Sequence, residues 1–590
     1  MSDVTTKAKF DWRELLLSWW APRDSHLPPG FAPLVVLGLL VFYGFFFLWP
    51  IVECVKGAFM LEDGKFTLAY VGEIFRNQLY LIGLFNSLSI AFWSSLTAFA
   101  IAMPLAFIAD RCEFPGKKLL SALVLVPMIL PPFVGAIGFK AIVGQEGALN
   151  TLLIKLGMMS AATPYDWLGE GRFLGVVLLT ALHLYPILYL NISAALANID
   201  PAMEEAATNL GCTGLPRFFK ITLPLIMPGV FAGGAIVFIW GMTELGVPLM
   251  FDYTQVASVQ IFNGIKDIGG NPFPYALSVV LLILTTVIYT LSKLVFGRGG
   301  HAMMAKATTG RTPAKMGPLG ATLCIAAFAL IAFFAFIPHL GVVLISFSED
   351  WYKSVLPASF TLDHYKEALG HSLTVPSITN SLKYASIATV ADIIIGVLIA
   401  YIVVRTTLPA RHLLDALAML PLAVPGLILA FGYVAMTQEG KVFEALSPSK
   451  DPFFILVIAY SVRRLPYVVR SAAAGLQQTS AALEEAALNL GANYFKTLRK
   501  ITLPLIAANL IAGGLLAFSF AMLEVSDSLI LAQKQQDFPI TKAIYELNNV
   551  LGTGPLLASA LGVWSMVFLG VTILGASLIL GKKLGAMFRV

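Results

Sequence analysis

The stretch that decides the fold reads AMEEAATNLGCTGLPRFFKITLPLIMPGVFAGG at residues 202–234 and returns as ALEEAALNLGANYFKTLRKITLPLIAANLIAGG at residues 482–514. At a constant offset of 280 residues, 18 of the 33 positions are identical, and a repeat at fixed spacing is the first clue to an architecture. Each copy holds two carboxylates followed by alanines (Glu204, Glu205, Ala206, Ala207; Glu484, Glu485, Ala486, Ala487), then a glycine (Gly211, Gly491), then Lys-Ile-Thr-Leu-Pro (Lys220 to Pro224; Lys500 to Pro504). Ala and Glu favour helix, Gly permits the left-handed turn that ends one, and Pro fits the first turn of the next. The block predicts a helix, a turn and a second helix.

What surrounds the blocks is apolar. Of 590 residues 58% are hydrophobic and only 12% are charged, about half the roughly 25% charge of soluble domains. A span needs about 20 apolar residues, and twelve such runs occur near 33–55, 86–109, 119–143, 173–197, 225–249, 275–296, 319–347, 381–404, 412–436, 453–476, 505–531 and 555–580. The chain is expected to be an all-α polytopic membrane protein of about twelve transmembrane helices. With the amino terminus inside, the inner segments hold 21 Lys and Arg against 12 outside, which places both termini in the cytoplasm. Pro186 aligns with Pro466 and Glu244 with Glu524 at the 280 offset, and Pro127, Pro131 and Gly138 with Pro421, Pro425 and Gly432 at 294. Six spans return the chain to its starting side, so the two six-helix repeats run parallel, related by an axis along the membrane normal.

Residues 1–32 read as a cytoplasmic or interfacial segment. Asp11, Arg13, Glu14 and Arg23 interrupt any signal-peptide core, and Trp12, Leu15, Leu16, Trp19 and Trp20 suit an interfacial helix. The first repeat then covers 33–297, a Gly- and Arg-bearing cytoplasmic linker 298–318, and the second repeat 319–590. Cys54, Cys112, Cys212 and Cys324 are single and scattered, signalling neither disulfides nor a metal site. A net charge of +5 without a basic arm gives no sign of nucleic acid.

Lipid-facing helices need only be apolar, yet the repeated blocks keep polar detail on the cytoplasmic side, as a docking element would. Their pattern of E-A-A, Gly and I-x-L-P resembles the cytoplasmic signature of binding-protein-dependent permeases of type I ABC importers, in a form with both membrane halves fused. The resemblance implies that Glu204, Glu205, Ala206 and Gly211, with Glu484, Glu485, Ala486 and Gly491, form two coupling helices that dock on a homodimeric ABC ATPase. It also implies a periplasmic or lipid-anchored binding protein, residence in a bacterial inner membrane, and alternating access. No G-x-x-x-x-G-K-[ST] loop occurs in the chain, so ATP and Mg²⁺ belong to the partner, and no catalytic residue, cofactor or metal ligand is assigned. Fused permeases of this kind resemble importers of ferric iron, thiamine and 2-aminoethylphosphonate, with polyamine importers further off. The stretches Pro131–Asn150 and Asp252–Pro274 look most like the ferric-iron and aminophosphonate branch.

Charges within spans are functional candidates, because burying one at mid-membrane costs several kcal/mol unless it is paired or wet. His183, Glu244, Asp392, Arg463, Arg464 and Glu524 are the candidates for a polar, partly cationic pathway, which suits an anionic or anion-complexed substrate. An ion-driven secondary transporter would share the parallel halves but would not need the two repeated loops. An integral-membrane enzyme would need clustered His, Asp or Cys, and the seven His are dispersed.

Overall fold

The computed structural model describes residues 31–580 apart from 62, 129, 130, 170, 171, 268, 269 and 297–312. The Trp-rich stretch within 1–30, most of the linker and residues 581–590 lie outside the described residues. In lipid every backbone N–H and C=O must be satisfied within its own segment, and the apolar runs are accordingly helical. Among the described residues nine helices are long and apolar enough to cross a membrane: Phe31–Phe59, Gln78–Arg111, Phe173–Ala197, Gly214–Met242, Phe273–Ser292, Pro318–Phe347, Thr374–Arg405, Tyr494–Met522 and Gly554–Thr572. They occupy nine of the twelve expected positions. The tenth expected run forms the helix Phe453–Gln478, whose apolarity is interrupted by Arg463, Arg464 and Arg470.

The third and ninth runs are not single straight spans. Residues Lys117–Met128 and Pro132–Lys155 meet at a bend of 97°. Pro131 there is extended, with φ −69° and ψ 118°, and two successive prolines remove the N–H groups that would carry the helix on. The equivalent break separates Arg411–Leu422 from Gly426–Met436, with Pro425 extended at φ −59° and ψ 134°. The fifth and eleventh runs also stop early, at Met242 and Met522, and resume after three residues as the short helices Gly246–Met250 and Ser526–Leu531.

The chain divides into two compact units. One comprises Pro50–Ala385, Ala423–Val457 and the chain from Met522 onward. Its core gathers Ala98, Ala102, Leu105, Tyr185, Leu188, Ile192, Ile226, Val237 and Phe328, from the second, fourth, fifth and seventh spans. Where Pro132–Val143 crosses Pro318–Phe347, backbones touch: a Cβ on Gly138 would sit 2.1 Å from the Pro338 carbonyl oxygen, and one on Gly341 would sit 2.5 Å from that of Gly138. Small residues permit such close crossings in membranes. The aligned Gly432 makes the same kind of contact, its Cβ position lying 2.7 Å from the Pro50 carbonyl oxygen. The first helix of each half therefore packs on the third run of the other half. A two-residue parallel ladder joins Cys112–Glu113 to Ala314–Lys315, holding the end of the linker beside an inner loop.

The other unit comprises the chain up to Trp49, Ser386–Leu422 and Ile458–Ala521. Val397, Ala400, Tyr401, Ala472, Leu476, Ile506 and Leu510 form its buried cluster.

Candidate functional site

The repeated blocks fold alike, one in each unit. In the first, Asp200 caps the helix Pro201–Asn209 by accepting from the Ala202 N–H at 2.9 Å, and Pro201 occupies the first helical position, as local chemistry favours. Gly211, at φ +79°, turns the chain through the left-handed region that a side chain resists. A short helix Gly214–Arg217 and a widened turn Phe218–Thr222 then lead into Leu223–Met242. In the second block the helix is Ala482–Asn489, the left-handed glycine is Gly491 at φ +85°, and the Asn493 side chain caps Tyr494–Thr497 by accepting from the Lys496 N–H at 2.8 Å.

The first glutamate of each pair faces inward. Glu204 is 2% exposed; Arg111 donates to both of its carboxylate oxygens at 2.6 Å, and the Thr222 hydroxyl donates at 2.7 Å. Arg111 is fixed in turn by Asp110 at 3.1 Å and by the ring of Phe107, 5.5 Å away. Glu484, also 2% exposed, accepts from Tyr401 at 3.1 Å, Arg405 at 3.4 Å and Thr502 at 3.2 Å. Arg405 divides its donors, reaching the Thr479 carbonyl at 2.9 Å and its hydroxyl at 3.1 Å. A bidentate Arg–carboxylate pair is among the strongest and most directional polar contacts. The first anchor is thus tighter and the second more distributed. Each ties its cytoplasmic helix to the ends of two spans.

The outward face is different. Glu205 and Ala206, with Glu485 and Ala486, are exposed, as are Gly211 and Gly491. At helical spacing beside them lie Met203 and Leu210 in one copy and Leu483 and Leu490 in the other. Leu210 is 88% exposed and Leu490 89%. An apolar stripe held out from the membrane by a buried ion pair has the form of a surface awaiting a partner. Sequence reasoning found the glutamates but missed Arg111, Arg405 and the exposed leucines. The repeated Thr of Lys-Ile-Thr-Leu-Pro was the available signal for the anchor, since Thr222 and Thr502 both bond the buried carboxylate.

The intramembrane candidates fall into two groups. In the larger unit the His183 ring lies 2.9 Å from the Pro127 carbonyl oxygen, beside the proline break. Glu244 occupies the break before Gly246–Met250, its carboxylate accepting from the Gly246 and Val247 N–H groups at 3.1 and 3.3 Å. Glu524 sits buried at the equivalent break, its carbonyl accepting from the hydroxyls of Ser528 and Thr541. These two breaks meet, because a Cβ on Gly246 would lie 3.0 Å from Val525 Cγ1. In the smaller unit Asp392 is buried and accepts from the Ser461 hydroxyl, Arg464 is buried 5.5 Å from the centre of the Phe520 ring, and Arg463 is half-buried. Among the described residues no group of three or more His, Cys, Asp or Glu is arranged to hold a metal ion.

Comparison with known proteins fits this geometry. The family described as "Binding-protein-dependent transport system inner membrane component" matches the chain twice, over residues 92–299 and 392–577, and each match contains one of the two cytoplasmic blocks. The putative ferric transport system permease protein FbpB 1 of Haemophilus influenzae is 28% identical over 85% of this chain and 77% of its own length. The spermidine/putrescine transport system permease protein PotB of the same organism is 30% identical over 41% of this chain and 86% of its own. A putative 2-aminoethylphosphonate transport system permease protein, PhnU of Salmonella typhimurium, is 26% identical over 45% of this chain and 91% of its own.

Proposed function

The chain belongs to the family of binding-protein-dependent transport system inner membrane components, and on that premise we propose that it carries ferric iron inward, driven through its two cytoplasmic helices by a separate homodimeric ATPase. It is a multi-pass permease of the inner membrane rather than an enzyme. Its cargo is delivered by a binding protein on the outer side. Two relatives spanning most of the chain are ferric permeases, aligning with 85% and 83% of it, which supports iron as cargo, whereas the polyamine and aminophosphonate permeases each align with less than half.

The observation that carries the proposal is the pair of outward apolar stripes on inwardly anchored helices. When the ATPase dimer closes on ATP, it presses on Met203, Ala206 and Leu210 in one unit and on Leu483, Ala486 and Leu490 in the other. The Glu204–Arg111 pair transmits the push to the Gln78–Arg111 helix and Thr222 transmits it to Leu223–Met242, which ends at the Glu244 break. Glu484 acts likewise through Arg405 and Thr502. Displacement at the cytoplasmic surface thereby reaches the two meeting breaks, where Glu244 and Glu524 lie. Purification of the tagged chain from its native membrane, with assay for a bound ATPase and for vanadate-sensitive ferric uptake, tests this. Uptake in the absence of any ATPase would refute it.

A further inference from the structure

Cys112 and Cys324 are far apart in sequence and meet in the fold. Cys112 follows Arg111 directly at the inner end of the second span and opens the two-residue ladder with Ala314–Lys315. Cys324 lies near the start of Pro318–Phe347, in the same unit. Extended backbone puts residues i and i+2 on one face, and a helix does so for i and i+4. Cys112 is extended, with φ −111° and ψ 140°, so it shares a face with Phe114, as Cys324 does with Phe328. Two extended residues advance about 6.6 Å and four helical ones about 6 Å, which puts the two pairs in register. The rings of Phe114 and Phe328 accordingly lie 5.8 Å apart between centres, and the side chains of Cys112 and Cys324 are within hydrogen-bond reach of each other. Cys324 belongs to the buried core of this unit, and Cys112 packs against that core. Both thiols are free.

On a cytoplasmic surface, where thiols are kept reduced, a disulfide that does form is usually transient and redox-sensing. The two thiols differ in access. Cys112 is half-buried and open to a small oxidant, whereas Cys324 is 7% exposed. Burial and the neighbouring Cys324 push the Cys112 thiol up, against a smaller pull from Lys117. The thiolate is the reactive form, so the pair stays reduced at low oxidant and responds only when oxidant is abundant. With hydrogen peroxide as that oxidant, the Cys112 thiolate attacks one peroxide oxygen, the O–O bond breaks, and the departing hydroxide takes up the thiol proton as water. Cys324 then attacks the sulfur of the Cys112 sulfenic acid, giving up its own proton, and the S–O bond breaks to release a second water. Two thiols lose two electrons in forming one S–S bond, and one peroxide gains them.

The residue before Cys112 is the arginine that grips Glu204 through two 2.6 Å bonds. A bond from Cys112 to Cys324 would therefore fix the anchor of the first cytoplasmic helix to the first helix of the second half. We propose that Cys112 and Cys324 are a reversible modification site, a peroxide-formed disulfide that clamps the inner end of Gln78–Arg111 to Pro318–Phe347 and arrests the first lever. The arrest rests on the lever reading above, and the bridge does not.

The test starts from the purified full chain in detergent, freed of reductant and treated with hydrogen peroxide. Two of its four thiols should disappear, and digestion without reductant should yield a peptide pair linked through Cys112 and Cys324. Both signals should be absent in Cys112→Ser and in Cys324→Ala. Sulfinic acid at Cys112 without a linked peptide, or a link through Cys54 or Cys212 instead, would overturn the site. The bridged chain is then desalted and reassembled with untreated ATPase and binding protein. Vanadate-sensitive ATP hydrolysis should fall to background and return on reduction with dithiothreitol, while Cys112→Ser taken through the same peroxide treatment should keep its full rate. Full hydrolysis by the bridged chain would overturn the arrest. Cys112→Ser lies at the half-buried position, so a packing defect in Cys324→Ala does not hide the result. Because the linked peptide is read without ATPase and hydrolysis is read without cargo, failure of either is distinct from failure of the ferric-uptake reading.

Discussion

At the scale of single residues, Glu204 and Glu484 do the opposite of what their position in a partner-facing motif suggests. Two adjacent carboxylates on an Ala-rich cytoplasmic helix read as a charged docking surface, yet the first of each pair is buried against an arginine from a preceding span. Removing one partner of a buried pair strands the other charge and costs about 3–5 kcal/mol. Glu204→Gln is therefore expected to lower the thermal unfolding midpoint of the purified chain more than Glu484→Gln, because Arg111 is held by two 2.6 Å bonds and Arg405 retains Thr479. Equal and negligible losses in the two variants would show that neither pair anchors its helix. Glu205→Gln, on the exposed face, should leave that midpoint unchanged.

At the scale of elements, the two cytoplasmic helices are levers with a gripped end and a free end. Burying a leucine side chain is worth about 1.5–3 kcal/mol, which is about ten- to a hundredfold in affinity. Leu210→Asp and Leu490→Asp should each weaken ATPase binding by about that factor or more, measured by copurification, while the fold persists because both side chains are almost fully exposed. The Gly138 crossing makes a second element-scale expectation. Gly138→Leu would drive a side chain into the Pro338 carbonyl and the Val342 N–H, so the variant should fail to reach the membrane in folded form, as judged by detergent-resistant monodispersity. Much of this was legible in the sequence: the repeat, the helix–glycine–helix form and the positions of the spans followed from identity, propensity and apolar run length. The breaks at Pro131 and Pro425 were visible as prolines but read as interior to spans, because apolar composition continues through them. The anchoring arginines were hidden for another reason. Arg111 and Arg405 are equivalent at an offset of 294, whereas the glutamates they bind are equivalent at 280, so loop-length change disguised a matched pair.

At the scale of the whole molecule, the chain is a fused permease in which each unit carries one gripped cytoplasmic helix. Both halves contribute to the larger unit, through the meeting of the Glu244 and Glu524 breaks and through the exchanged packing of Gly138 with Pro338 and Gly432 with Pro50. That exchange was not legible from composition or periodicity, since it depends on which apolar faces meet rather than on which residues are apolar. Fusion into one chain is expected to make both levers necessary, so impairing either should halt the cycle rather than halve it. The most direct measurement is ATP-driven ferric uptake into proteoliposomes holding the chain with its copurifying ATPase and binding protein. Vanadate should abolish this uptake, and Leu210→Asp or Leu490→Asp alone should reduce it to background. Uptake that continues under vanadate, or in the double Leu210→Asp/Leu490→Asp variant, would contradict ATP-driven coupling through the two levers.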